Sequence, residues 1–216
     1  MKLFLCLFIG LLLPQALLAQ FSPFEPGSYV LASNRTVRHA SMLKLRSSTV
    51  LLAKDADDKN VRLTPAEVSS FRIGARKFFV VSDVEEQEED GAAIGGIFVE
   101  LLDSGTVTLM RYEYAVSTAP MMGAGGGMSY GGSSGTRYVY MVCWSAAKDP
   151  TITVLPTGGM GGGGKKFREA LLPYLASRPD LTKLADDKRL TAENLRATIR
   201  ALNAGKPFAL SASDTY

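Results

Sequence analysis

Residues 97–114 read Ile97-Phe98-Val99-Glu100-Leu101-Leu102-Asp103-Ser104-Gly105-Thr106-Val107-Thr108-Leu109-Met110-Arg111-Tyr112-Glu113-Tyr114. Two runs of strand-forming residues flank Asp103-Ser104-Gly105, and the spacing predicts an antiparallel hairpin with Gly105 supplying the positive φ of a three-residue loop. Strands joined by so short a connection belong to an antiparallel sheet, and the neighbouring sequence extends it on both sides. Upstream, Gly27–Leu31 reads as a first strand, and Thr49–Ala53 and Asn60–Leu63 form a second hairpin around the polar tract 54–59. Thr64-Pro65-Ala66-Glu67 has the elements of a capping box, here closing one short turn before the next strand. That strand is either Phe71–Ile73 or Lys77–Val81, with Gly74 marking a turn or bulge between them. Downstream, Tyr138–Trp144 and Thr151–Leu155 are further strands.

From Lys165 the hydrophobic period changes from two to 3.6. Phe167, Leu171, Tyr174 and Leu175 share one helical face, with Pro173 expected to kink or shorten the helix. Leu181 and Leu184 mark a second helix. A third is expected to start at Thr191 as N-cap, to bury Leu195, Ile199 and Leu202, and to stop at Gly205. The expected class is α+β: an antiparallel β-rich body, 20–164, with Gly-rich loops at 119–135 and 158–164, then a helical part, 165–206, and a loose tail, 207–216.

The first 19 residues read as a cleavable export signal. Lys2 precedes the apolar run Leu3–Leu13, and Ala19 provides a small residue before the cut, so the mature chain is expected to begin near Gln20. The apolar run is too short for a membrane span, which takes about 20 residues, and no transmembrane segment is expected after cleavage. The reading places the protein in the periplasm or at the cell surface. Of the 2 cysteines, only Cys143 survives cleavage, so no intramolecular disulfide can form. Its place among strand formers favours a buried, inert thiol. The chain carries a net charge of +3, with the excess of Lys and Arg falling after Lys165. Charges of both signs alternate there as on a solvated helix face, and no nucleic-acid-binding motif accompanies them.

Several segments approach a chemical motif and then depart from it. Asp103-Ser104-Gly105-Thr106 resembles the aspartic-protease signature, whose chemistry needs two carboxylates sharing one proton. A single copy makes that reading a dimer acting through Asp103, and the simpler reading is a plain turn. Gly159–Lys165 fits the glycine and lysine spacing of a phosphate-binding loop, but Lys166 stands where a magnesium-binding Ser or Thr belongs, which favours a flexible linker. Asp55–Asn60 lacks the turn glycine and the bidentate Glu of a calcium loop. The acidic run Glu85–Asp90 reads as a solvated loop. His39 is the lone histidine: with Cys143 it is too little for an ordinary zinc site within one chain, and a Ser-His-Asp triad would have to recruit it. Neither a metal nor a cofactor is expected. The strongest binding signal is aromatic. Tyr112 and Tyr114 share one strand face, as do Tyr138, Tyr140 and Trp144, and aligned strands would join the five into a platform for a sugar or peptide.

Gly27-Ser28-Tyr29-Val30, Leu63–Phe71, Phe98–Leu102 with Gly105–Leu109, and Phe167 through Leu175 to Pro179-Asp180-Leu181 occur in an order that resembles a group of uncharacterised exported β-rich proteins common in Bacteroidota-type bacteria. The resemblance spans most of the mature chain and departs from it in the two Gly-rich tracts and in the missing glycine turn after the first strand. It implies an envelope location and a mixed fold, and it brings no catalytic residues. The expected function is therefore a non-enzymatic binding or structural module meeting an envelope protein, peptide or glycan.

Overall fold

The computed structural model describes residues 23–54, 59–82, 96–117, 134–146, 151–157 and 164–210. The leader, the acidic run, Asp55–Asp58, the end of the tail and most of both Gly-rich tracts lie outside them. The strands are β1 (Glu25–Leu31), β2 (Val37–Ser47), β3 (Val50–Lys54), β4 (Asn60–Leu63), β5 (Val68–Ile73), β6 (Arg76–Val81), β7 (Ile97–Asp103), β8 (Val107–Ser117), β9 (Ser134–Trp144) and β10 (Thr153–Leu155). They form one antiparallel sheet in the order β10-β9-β8-β7-β6-β5-β1-β2-β3-β4. The helices α1 (Lys165–Leu175), α2 (Pro179–Asp186) and α3 (Leu195–Ala204) follow. The β-rich body and C-terminal helices agree with the α+β expectation.

Cross-strand pairing explains how the sheet divides its labour. One row of directly opposed residues runs Tyr29–Phe71–Phe78–Glu100–Arg111–Tyr140–Leu155 across seven strands. Directly opposed side chains share a face, so this row traces the inner face from β1 to β10. At the β1–β6 end the sheet wraps Leu43, Leu51, Val68, Phe71, Phe78 and Phe98 into one core. Phe71 stacks on Phe78 at 4.6 Å and meets Phe98 edge-on at 5.0 Å. The sheet curls far enough for the Phe98 N–H to donate to the Ser48 carbonyl in the β2–β3 turn, at 2.6 Å. At the other end the same face lies under the helices: Val107, Leu109, Val142 and Leu155 pack with Phe167, Leu171, Leu175, Leu181, Leu195 and Ile199. The helical part is therefore docked on the sheet. The opposite face of β6–β9 buries a third cluster that includes Val99, Met110, Tyr112, Met141 and Cys143.

Local rules set the ends of these elements. The Glu67 carboxylate accepts from the Thr64 N–H at 2.9 Å and from its hydroxyl at 2.8 Å, closing the single turn before β5. Both alternatives for the next strand form, as the β5–β6 hairpin, with Gly74 at φ 55° in its turn. Gly205 ends α3 at φ 63°. Arg178 forks onto Asp180 at 2.7 and 2.9 Å and donates to the carbonyls of Ala201 and Lys206, tying the α1–α2 corner to the end of α3. Two expectations are corrected. Thr191 is not the N-cap: the Asn194 side chain accepts from the Thr191 N–H and donates to the Arg189 carbonyl, so a turn occupies 191–194 and the helix begins at Leu195. Gly105 is not at positive φ, and what requires glycine there is described next.

Candidate functional site

Glu100 and Arg111 stand among apolar neighbours in β7 and β8, and the hairpin register sets them opposite each other. They meet in the middle of the inner face, where the curled β1–β6 end adjoins the helix-covered end. The Arg111 Nε donates to Glu100 Oε2 at 2.9 Å, and the two residues are only 7% and 8% exposed. Burial works against the Arg111 charge, but the adjacent Glu100 carboxylate and Tyr140 outweigh it, holding the guanidinium's pKa above that of free arginine. Outside it, the Tyr138 ring lies 4.7 Å from the guanidinium and covers it. Arg76, Glu113 and Ser48 are the other polar residues that line a cleft around the pair, beside apolar Leu45, Phe78 and Phe98. Its volume, about 10 Å³, is close to the smallest space that holds one water molecule. Such a cleft has no room for a substrate beside the two charges.

The aromatic residues fall into two sets. Tyr112 opposes Val139, whereas Tyr138 opposes Glu113 and Tyr140 opposes Arg111. Tyr112 and Tyr114 consequently lie on the opposite face of the sheet from Tyr138, Tyr140 and Trp144, which corrects the expectation of one aligned platform. Tyr112 is buried, and its ring centroid is 6.3 Å from that of Tyr114. Tyr140 packs against the helix-covered core. Trp144 rests on Tyr174 of α1 at 5.0 Å, and the Tyr174 hydroxyl is 2.7 Å from that of Thr153. Of the five, Tyr138 near the middle of β9 and Trp144 at its end keep the most open surface, 40% each.

Asp103 sits at a bulge: Leu101 opposes Met110 and Asp103 opposes Leu109, so the chain gains one residue at Leu102. The bulge turns Asp103 towards α3. There the Asn203 amide donates to Asp103 Oδ1 at 2.7 Å and to the Val107 carbonyl at 2.8 Å, while its oxygen accepts from the Val107 N–H at 2.9 Å. Arg200 Nε stands 3.9 Å from the other carboxylate oxygen. A Cβ on residue 105 would approach Asn203 Cβ to 2.6 Å, so glycine is needed for close approach and not for its φ. One Asn side chain thus clasps the hairpin to the last helix. Sequence reading had no local sign of Asn203, whereas Glu100 and Arg111, each flanked by apolar or aromatic residues in its strand, were visible as charges in the hairpin.

Cys143 is 7% exposed, and burial pushes its thiol pKa up. A thiol-specific maleimide at pH 7.5 is expected to leave Cys143 of the folded mature protein largely unlabelled and to modify it fully in 6 M guanidinium, as read by intact mass. His39 lies exposed on β2. Among the described residues no three His, Cys, Asp or Glu side chains converge as a metal site, and no helix is long and apolar enough to cross a membrane. In comparisons with known proteins, no family model, no curated protein and no solved structure matches the chain.

Proposed function

We propose that this is an exported envelope protein, periplasmic or at the cell surface, that acts by binding or by structural support and not by catalysis. The observation that carries this reading is how its polar groups are used. The Glu100–Arg111 pair is buried and bonded to itself, and Asp103 is held by Asn203 at 2.7 Å. An aspartic-protease-like dimer acting through Asp103 would need that carboxylate free to share a proton with a second one, and nothing around Asp103 favours it. The leader-like residues 1–19 support export. Tyr138 and Trp144, on the inner face of β9 but each 40% exposed, present rigid aromatic rings of the kind that anchor a peptide or a sugar.

The test is capture by crosslinking of the tagged mature protein in the envelope of its native host, with an unrelated exported bait as control. Recovery of one protein or glycan fraction near equimolar yield is expected, with an intact mass that starts near Gln20. Recovery of nothing above the control counts against the reading, and an intact leader on the cellular protein counts against export.

A further inference from the structure

The charge balance of the β-rich body hides a segregation. Strands β2 to β6 contain eight Lys and Arg and no Asp or Glu. On the outer face of β2–β4, one cross-strand row runs Lys44–Leu52–Arg62 and a second runs Met42–Lys54–Asn60. Leu51 and Ala53, which alternate with these residues, point into the core, so the cations face outward together. Lys44 and Lys54 lie 5.9 and 5.5 Å from the centroid of Phe24. Beside them an open groove of about 300 Å³ is lined by Arg46, Ser47, Val50, Leu52 and Arg62. That volume is at the lower end of the range for small-molecule sites. Arg46 and Arg62 are exposed, while partly covered Leu52 and buried Val50 form an apolar floor between them.

We infer that this groove binds a linear anionic glycan, one bearing carboxylate or sulfate groups. The inference rests on the envelope-binding reading above and names its partner class. Three observations select this occupant. The two arginines that flank the groove stand on β2 and β4, strands two spacings or about 10 Å apart, so a ligand that reaches both lies across the strands. A peptide added to the β4 edge would run along them. Arginine also meets planar carboxylate and sulfate-type groups with a two-pronged hydrogen bond, and the Val50–Leu52 floor suits the apolar face of a sugar ring. Finally, the large exposed apolar side chains among the described residues are Val37, Val61, Tyr138, Trp144, Val154 and Leu210. None stands in the Lys44–Arg62 row, so the face lacks the anchors of a membrane-embedded surface.

The experiment measures binding of the mature protein to immobilised polygalacturonate and heparin in 0.15 M NaCl, against neutral dextran. Saturable binding to at least one anionic glycan and none to dextran is expected. Arg46→Gln with Arg62→Gln is expected to weaken it at least tenfold. Lys166→Gln with Lys183→Gln, which removes the same charge from the helices, is expected to change it less than twofold. If the double variant does not fold, Arg62→Gln alone on the edge strand gives the same reading at a threefold loss or more. Binding to neither glycan overturns the inference, as does an equal loss in both double variants, which would mean charge attraction without a site. Tighter binding to poly-L-glutamate, or to vesicles of 30% anionic lipid, also overturns it. Capture of a protein partner from the envelope with no glycan binding removes this inference and leaves the binding reading standing, whereas turnover of a substrate removes the reading itself.

Discussion

Arg111→Leu is expected to destabilise the mature protein by about 3–5 kcal/mol, because it leaves the Glu100 carboxylate buried without its counter-charge. The Glu100 side chain lies 11% exposed between the aromatic core of the curled end and the helix-covered core. The Tyr138 ring also loses the flat cation beneath it, which adds to the cost. The pair's value is conditional. Glu100→Leu with Arg111→Leu removes both desolvation penalties together, and replacing a buried pair with apolar residues is often neutral or stabilising. The double variant is therefore expected to recover most of the loss. Urea unfolding of the wild type, both single variants and the double variant gives the coupling energy directly. A single Arg111→Leu loss below about 1 kcal/mol would mean that the seam is wetter than the packing indicates.

Asn203→Ala is expected to cost about 2–3 kcal/mol, the worth of three neutral or charge-assisted hydrogen bonds with a buried partner left wanting. Two of the three bonds go to the backbone of Val107, which is fully buried at the start of β8. The third holds Asp103 at the bulge. Loss of the clasp should act on the joint between sheet and helix more than on either part. Amide exchange at Val107 and in α3 is expected to rise sharply, while β2–β5 stays protected. Gly105→Ala strikes the same joint from the other side, by pushing Asn203 away from a 2.6 Å approach. A uniform loss of protection across all strands would contradict the local role.

Short-range features were legible in the sequence for physical reasons that the structure bears out. The β7–β8 hairpin, the Thr64–Glu67 turn, the stop at Gly205 and the buried stripe Leu195–Ile199–Leu202 each depend on residues within a few positions of one another. Strand β2 did not show itself. Val37–Ser47 contains one β-branched residue, and its strand state comes from pairing with β1 and β3 on either side. Here tertiary context outweighs propensity. The aromatic platform failed on parity: each strand's alternation was read correctly, but which face of β9 matches which face of β8 depends on the register, and a shift of one residue exchanges them. Asn203 acts on a hairpin about a hundred positions earlier in the chain, a contact that only the packed helix creates. For the site, the charges of Glu100 and Arg111 were visible, while their mutual burial required the curl that brings the β2–β3 turn to Phe98.

The measurement that bears most directly on the central claim is a turnover screen of the mature, folded protein. It uses peptide and glycan libraries at neutral and acidic pH, with the heat-unfolded protein as the blank. The account predicts no turnover above the blank, because the carboxylates of Glu100 and Asp103 are committed to Arg111 and Asn203. A turnover abolished by Asp103→Asn or Glu100→Gln, in a variant whose Tm stays close to the wild type, would contradict it.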